Sequence, residues 1–172
     1  MTKEYSLISF KPDAYRRKMT KTILKAFKTE GLKPVYHKKL WLTEDMILDY
    51  QPVTKKMPPM MQKMFIYTYM AHETDIYLMQ GQDATRKTNE IKRNLRNAYV
   101  KGNPQETPFN LFHSSDNKPD LMRNVRVLMP EKLDLIKKAM PNISEISKDD
   151  PSLIPYQPTS LSYKVSYSYK KN

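Results

Sequence analysis

The chain has 172 residues, enough for one ordinary domain and too few for two. It contains no Cys, which excludes disulfides and thiolate chemistry, and no run of about 18 apolar residues, which excludes a membrane-spanning helix. Thirty Lys and Arg against 18 Asp and Glu leave a net charge of +12 that favours anionic ligands, although Lys also serves as general polar filler along the whole chain.

Tyr5-Ser6-Leu7-Ile8-Ser9-Phe10 reads as a strand, ended by a Lys11-Pro12-Asp13 turn. Thr20 is placed to cap a helix carrying Ile23, Leu24 and Phe27, with Gly31 at its C-terminal cap. Leu32 to Leu42 forms a second strand. Thr43 then caps a helix with Met46, Ile47 and Tyr50 on one face. A connection from Gln51 to Pro59 leads to a Met-rich helix from Met60 to Met70, and Asp75 to Met79 is a third strand closed by Gln80-Gly81. A basic helix runs from Asp83 to about Arg96. A loop with Gly102, Pro104 and Pro108 precedes a fourth strand, Phe109 to Phe112, which delivers His113 at its end. Pro119 opens a helix with Leu121, Val125 and Leu128, and Pro130 stops it.

This order describes one α+β sandwich with a small mixed or antiparallel sheet over residues 1–140. Residues 141–172 differ in composition and form a C-terminal extension. Within it Leu161 to Tyr169 alternates strictly, the pattern of an extra strand. The N-terminus lacks a basic start followed by an apolar stretch, so the expected compartment is the cytoplasm.

Three His are the candidates for chemistry. With no Cys and no His-x-x-x-His pair, no resident metal site is expected. His37 lies in a basic strand and His72 in a turn, whereas His113 ends an apolar segment that could hold it rigidly at a cleft.

Two motifs carry a resemblance. Ser6-Leu7-Ile8-Ser9-Phe10-Lys11-Pro12-Asp13-Ala14 resembles the first strand and Lys-Pro-Asp turn of the nucleoside diphosphate kinases. Asn110-x-x-His113-x-Ser115-Asp116 is similar to that family's Asn-x-x-His-Gly-Ser-Asp signature, and Leu95-Arg96 to its arginine-bearing segment. The resemblance covers roughly residues 3–130. It implies a ferredoxin-like α/β sandwich, a mostly antiparallel sheet covered by helices. It also implies ping-pong transfer of the γ-phosphate from a nucleoside triphosphate to a diphosphate through a phosphohistidine at His113. Lys11, Arg96 and Asn110 match the family's phosphate- and ribose-contacting residues, Ser115 its serine beside the histidine, and Tyr50 its tyrosine behind the phosphate site. Mg²⁺ would arrive with the nucleotide, and a dimer-based homo-oligomer is expected.

The sequence also departs from the pattern. Ser114 stands where the family has Gly, and Asn124 where it has the glutamate that orients the histidine. A second phosphate-binding arginine aligns near Asn89, with Arg86 or Arg93 a helical turn away as substitutes. The base-stacking Phe has no clear counterpart, leaving Met60, Met61 or Phe65 for its role. Two further readings therefore stand beside the kinase: a module that binds nucleotide or a protein partner without turnover, and a nucleic-acid binder resting on charge and the 12 Tyr.

Overall fold

The computed structural model describes residues 4–101 and 109–139. In chain order these form β1 (Glu4–Phe10), α1 (Pro12–Arg16), α2 (Thr20–Thr29), β2 (Lys33–Leu40), α3 (Glu44–Tyr50), α4 (Pro59–Met70), β3 (Thr74–Gly81), α5 (Ala84–Tyr99), β4 (Phe112–Ser114), α6 (Lys118–Leu128) and α7 (Leu133–Ala139). Short 3₁₀ turns at Pro52–Lys56 and Pro130–Lys132 join α3 to α4 and α6 to α7. The strands lie in the order β2-β3-β1-β4, and every neighbouring pair is antiparallel. This is the ferredoxin-like α+β sandwich.

The period-2 alternation of β1 divides the core. Leu7, with Ile76 and Leu78 of β3, packs beneath Ile47, Tyr50, Phe65, Tyr69 and the apolar face of α6. Ile8 and Phe10 turn the other way and meet Ile23, Phe27, Ile91 and Leu95 of α2 and α5. β1 is a central strand covered on both faces, which is why Leu7, Ile8 and Phe10 are all essentially inaccessible, as are its two serines Ser6 and Ser9.

Local chemistry sets the helix ends. Thr43 Oγ1 accepts from the Met46 amide at 3.3 Å, and Asn117 Oδ1 from the Asp120 amide at 2.9 Å. Gly31 closes α2 at φ +75°, where Leu32 N donates to Phe27 O and Gly31 N to Lys28 O, the pairing that satisfies a helix C-terminus. Gly81 leaves room for that turn, because a Cβ there would sit 2.5 Å from Leu32 Cδ2 and 2.9 Å from Gly31 O.

The sheet is antiparallel throughout, within what was expected, but three other expectations change. Lys11-Pro12-Asp13 opens the short helix α1 in place of a turn, Pro12 at its first position sparing an amide that would go unpaired. Met19, not Thr20, occupies the cap position of α2, and no side chain caps it. β4 begins only at Phe112, so His113 lies inside the strand opposite Ser9 and does not follow it. The cause is Leu111, whose φ of +76° breaks an extended course through 109–112. The proposed strand at 161–169, the C-terminal extension and the loop 102–108 lie outside the described residues. Among the described residues, no helix is long and apolar enough to cross a membrane.

Candidate active site

The site is assembled around the kink at Leu111. Asp13 Oδ2 accepts from the Leu111 amide at 2.9 Å, and the Lys11 amide donates to Leu111 O at 2.9 Å. From the other side Arg96 Nε donates to Asn110 O at 3.1 Å and its Nη2 to Phe112 O at 2.8 Å. A left-handed non-Gly residue costs about 1–2 kcal/mol, so bonds on both sides are needed to hold it. Asn110, buried to 7% exposure, and His113 flank this kink on its two sides.

β4 carries His113 in register with Ser9 of β1, its ring directed towards α3 and α6. Tyr50 meets the ring edge-on, with centroids 5.3 Å apart and an interplanar angle of 82°. The Tyr50 hydroxyl accepts from Gln51 Nε2, which also donates to Tyr69 Oη at 3.0 Å. Burial pushes the Tyr50 phenol up to about 12, so it stays protonated. On the α6 side Asn124, fully buried, places Nδ2 3.0 Å from His113 Nε2 and 3.2 Å from Ser115 Oγ. Ser115 is fixed in turn by its amide, which donates to Leu7 O at 3.1 Å.

The electrostatics are one-sided. Burial first, then the charges of Lys11, Lys92, Arg96 and Arg123, hold the His113 imidazolium well below its usual range. The ring is therefore neutral at pH 7 and keeps a nitrogen lone pair. Lys11 is itself 5% exposed, with Nζ 5.6 Å from the centre of the Phe65 ring. Desolvation, reinforced by Arg96, lowers its ammonium to about 7. Such a cluster is costly alone and becomes favourable when an anion enters. Chemically it can bind a polyphosphate and offer it a nucleophilic nitrogen.

The structure brings Lys11, Tyr50, Arg96, Asn110, His113 and Ser115 together. It does not bring Arg93, which is exposed on α5 and is not among the charges acting on His113. Its neighbour Lys92 faces the site instead: its side chain is 13% exposed and its charge acts on both Lys11 and His113. Arg86 pairs with Asp83 and Glu90 on the surface, and Asn89 donates to Asp116 O at 3.0 Å. Phe65 is fully buried and packs on Tyr69 and Phe109, so it forms the wall of the site and cannot stack on a base. Met60, at 85% exposure, and Met61, at 37%, remain open on α4. Lys92, Arg123, Asp13 and Gln51 were not singled out from the sequence. A separate cleft of about 330 Å³ between α2 and α5, lined by Thr22, Lys25, Ile91 and Asn94, contains none of the site residues.

No family model matches the sequence, and neither does any curated protein. Solved structures do match the fold. The Aquifex aeolicus nucleoside diphosphate kinase superimposes with a TM-score of 0.58 at 20% identity, over 74% of this chain and 95% of that one. A Borrelia burgdorferi nucleoside-diphosphate kinase, a transition-state mimic with bound vanadate and ADP, gives 0.57 at 19% identity, over 75% and 88%. A nucleoside diphosphate kinase family protein from Babesia bovis gives 0.54 at 23%, over 77% and 99%.

The fold is that of the nucleoside diphosphate kinases.

Within that fold, the histidine predicted as nucleophile lies within reach of the charges of two of the predicted phosphate contacts, Lys11 and Arg96, and Arg96 in turn holds the backbone of the third, Asn110. Asn124, predicted at the position of an orienting glutamate, does touch the ring. It does so through its amide nitrogen, so that it donates to the ring where a carboxylate would accept.

Proposed function

We propose that the protein is a nucleoside diphosphate kinase working through a phosphohistidine at His113. The observation that carries this reading is His113 held between Tyr50 and Asn124, with Lys11, Lys92, Arg96 and Arg123 near enough for their charges, after burial, to favour its neutral form. In the first half-reaction a ring nitrogen of His113 attacks the γ-phosphorus of a nucleoside triphosphate. The N–P bond forms as the bond to the β-γ bridging oxygen breaks, and the diphosphate leaves with that electron pair. In the second, a terminal oxygen of another nucleoside diphosphate attacks the phosphohistidine, and the N–P bond breaks. The surrounding cations offset charge on the transferring oxygens, while Tyr50 and Asn124 fix the ring. Asn110 is assigned to the ribose and Ser115 to support of Asn124.

Mg²⁺ belongs to the substrate in this reading. The charges acting on His113 are all positive, from Lys11, Lys92, Arg96 and Arg123, and they favour phosphate oxygens over a bare metal. A dimer-based homo-oligomer is part of the same proposal, and sedimentation reads it directly. Incubation with ATP and GDP tests the activity: GTP and ADP should appear together, and should not with His113→Ala.

One observation favours a second reading, nucleotide binding without turnover. Asn124 supplies the ring with an amide donor and no negative charge. ATP binding in the absence of any ATP–GDP exchange would select it.

A further inference from the structure

Lys92 and Asp116 form an ion pair beside the His113 cluster, and its two halves are unequally buried. The Lys92 side chain is 13% exposed and that of Asp116 57%. Lys92 sits one turn before Arg96 on the face of α5 that meets the site, and its charge acts on both Lys11 and His113. Asp116 is tied to α5 twice, by its carbonyl to Asn89 Nδ2 and by its carboxylate to Lys92 Nζ.

The other cations near His113 are committed differently. Arg96 holds the carbonyls of Asn110 and Phe112, and giving these up would release the Leu111 kink. Arg123 is paired with Asp120, a carboxylate only 20% exposed on the same helix. The partner of Lys92 is an exposed carboxylate, whose release returns it to water at little cost. A carboxylate and a phosphate present the same kind of anionic oxygen to an ammonium, so the two compete for one place.

We infer that Lys92 is a phosphate-binding residue of this site and that Asp116 is its internal competitor, displaced from Lys92 when a nucleoside polyphosphate binds. The inference rests on the nucleotide-binding part of the proposed function and adds two residues to it. Lys92 then supplies the cation missing at Asn89. The competition also favours highly charged ligands, since a triphosphate displaces Asp116 more readily than a monophosphate does.

The test is calorimetric titration of the full chain with ATP at low salt, using wild type, Lys92→Met, Asp116→Asn and the double variant. Asp116→Asn should tighten ATP binding several-fold by removing the competitor. Lys92→Met should weaken it about tenfold, the size of one charge-assisted hydrogen bond. The double variant should match Lys92→Met, because Asp116 then has nothing to withhold. Either single variant failing to move affinity in its stated direction overturns the inference and leaves nucleotide binding intact. Weaker binding in Asp116→Asn, the mark of a residue that assists the ligand, does so most clearly. Asp116 is exposed, so that variant decides the sign without threatening the fold. ATP binding to none of the four proteins would overturn the nucleotide reading itself.

Discussion

Asn124 Nδ2 lies 3.0 Å from His113 Nε2, and the same nitrogen lies 3.2 Å from Ser115 Oγ. An amide nitrogen can only donate, so in this arrangement His113 Nε2 accepts and the ring proton sits on Nδ1. One nitrogen is then capped by the amide and the other protonated, and attack on phosphorus requires one of them to be freed. A carboxylate at this position would accept from Nε2–H, leave Nδ1 with its lone pair, and stabilise the positive charge that develops as the N–P bond forms.

Replacing the amide by a carboxylate should therefore accelerate the first half-reaction. Asn124→Asp or Asn124→Glu is expected to raise the rate of His113 labelling by γ-phosphate about tenfold, a typical size for a group that orients a reacting histidine. Quench-flow labelling reads this step apart from binding. Unchanged or slower labelling by a folded variant would mean that the amide does not limit the ring.

Lys11 gives the site a pH dependence of known sign. Its folded value near 7 lies below the unfolded 10.5, so between those values the unfolded chain binds more protons and stability rises with pH. The penalty for burying the charged ammonium is complete below about pH 7. Lys11→Met should thus raise Tm more at pH 6 than at pH 9, as calorimetry would show. A larger gain at pH 9 would contradict the assignment.

The same side chain, largely a neutral amine at pH 8, should take up a proton when phosphate arrives. ATP titrations at pH 8 in buffers of different ionisation enthalpy should report net proton uptake, and Lys11→Met should abolish it. Uptake that persists in the variant would move the titrating group elsewhere.

Arg96 has a structural duty beside its charge. Its truncation to Ala strands the Asn110 and Phe112 carbonyls and releases one side of the Leu111 kink. The expected loss is about 3 kcal/mol of folding stability, read by denaturant unfolding. Arg96→Lys should recover only part of it, because an ammonium cannot reproduce the planar fork. Full recovery by Lys would show that charge alone matters.

The fold was largely legible because its signals are local. Alternation in β1, the Thr43 cap and the Gly31 terminator each depend on neighbours a few residues away. The start of β4 is not legible in the sequence because the Leu111 kink is set by Asp13 and Arg96, which are distant along the chain. The same limit explains Lys92. Choosing it over Arg93 depends on which face of α5 meets β4, and a basic run does not reveal that by composition. Asn124 was found by counting from His113. Its contact with the ring depends on how α6 packs against β4, which counting along the sequence does not show.

The central claim is that His113 carries the transferred phosphate. It is tested most directly by incubating the full chain with γ-labelled ATP and recovering protein-bound label. The account predicts acid-labile, base-stable label on wild type that chases onto added GDP and is absent from His113→Ala. Label that survives in His113→Ala, or none on a wild type that demonstrably binds ATP, would contradict it.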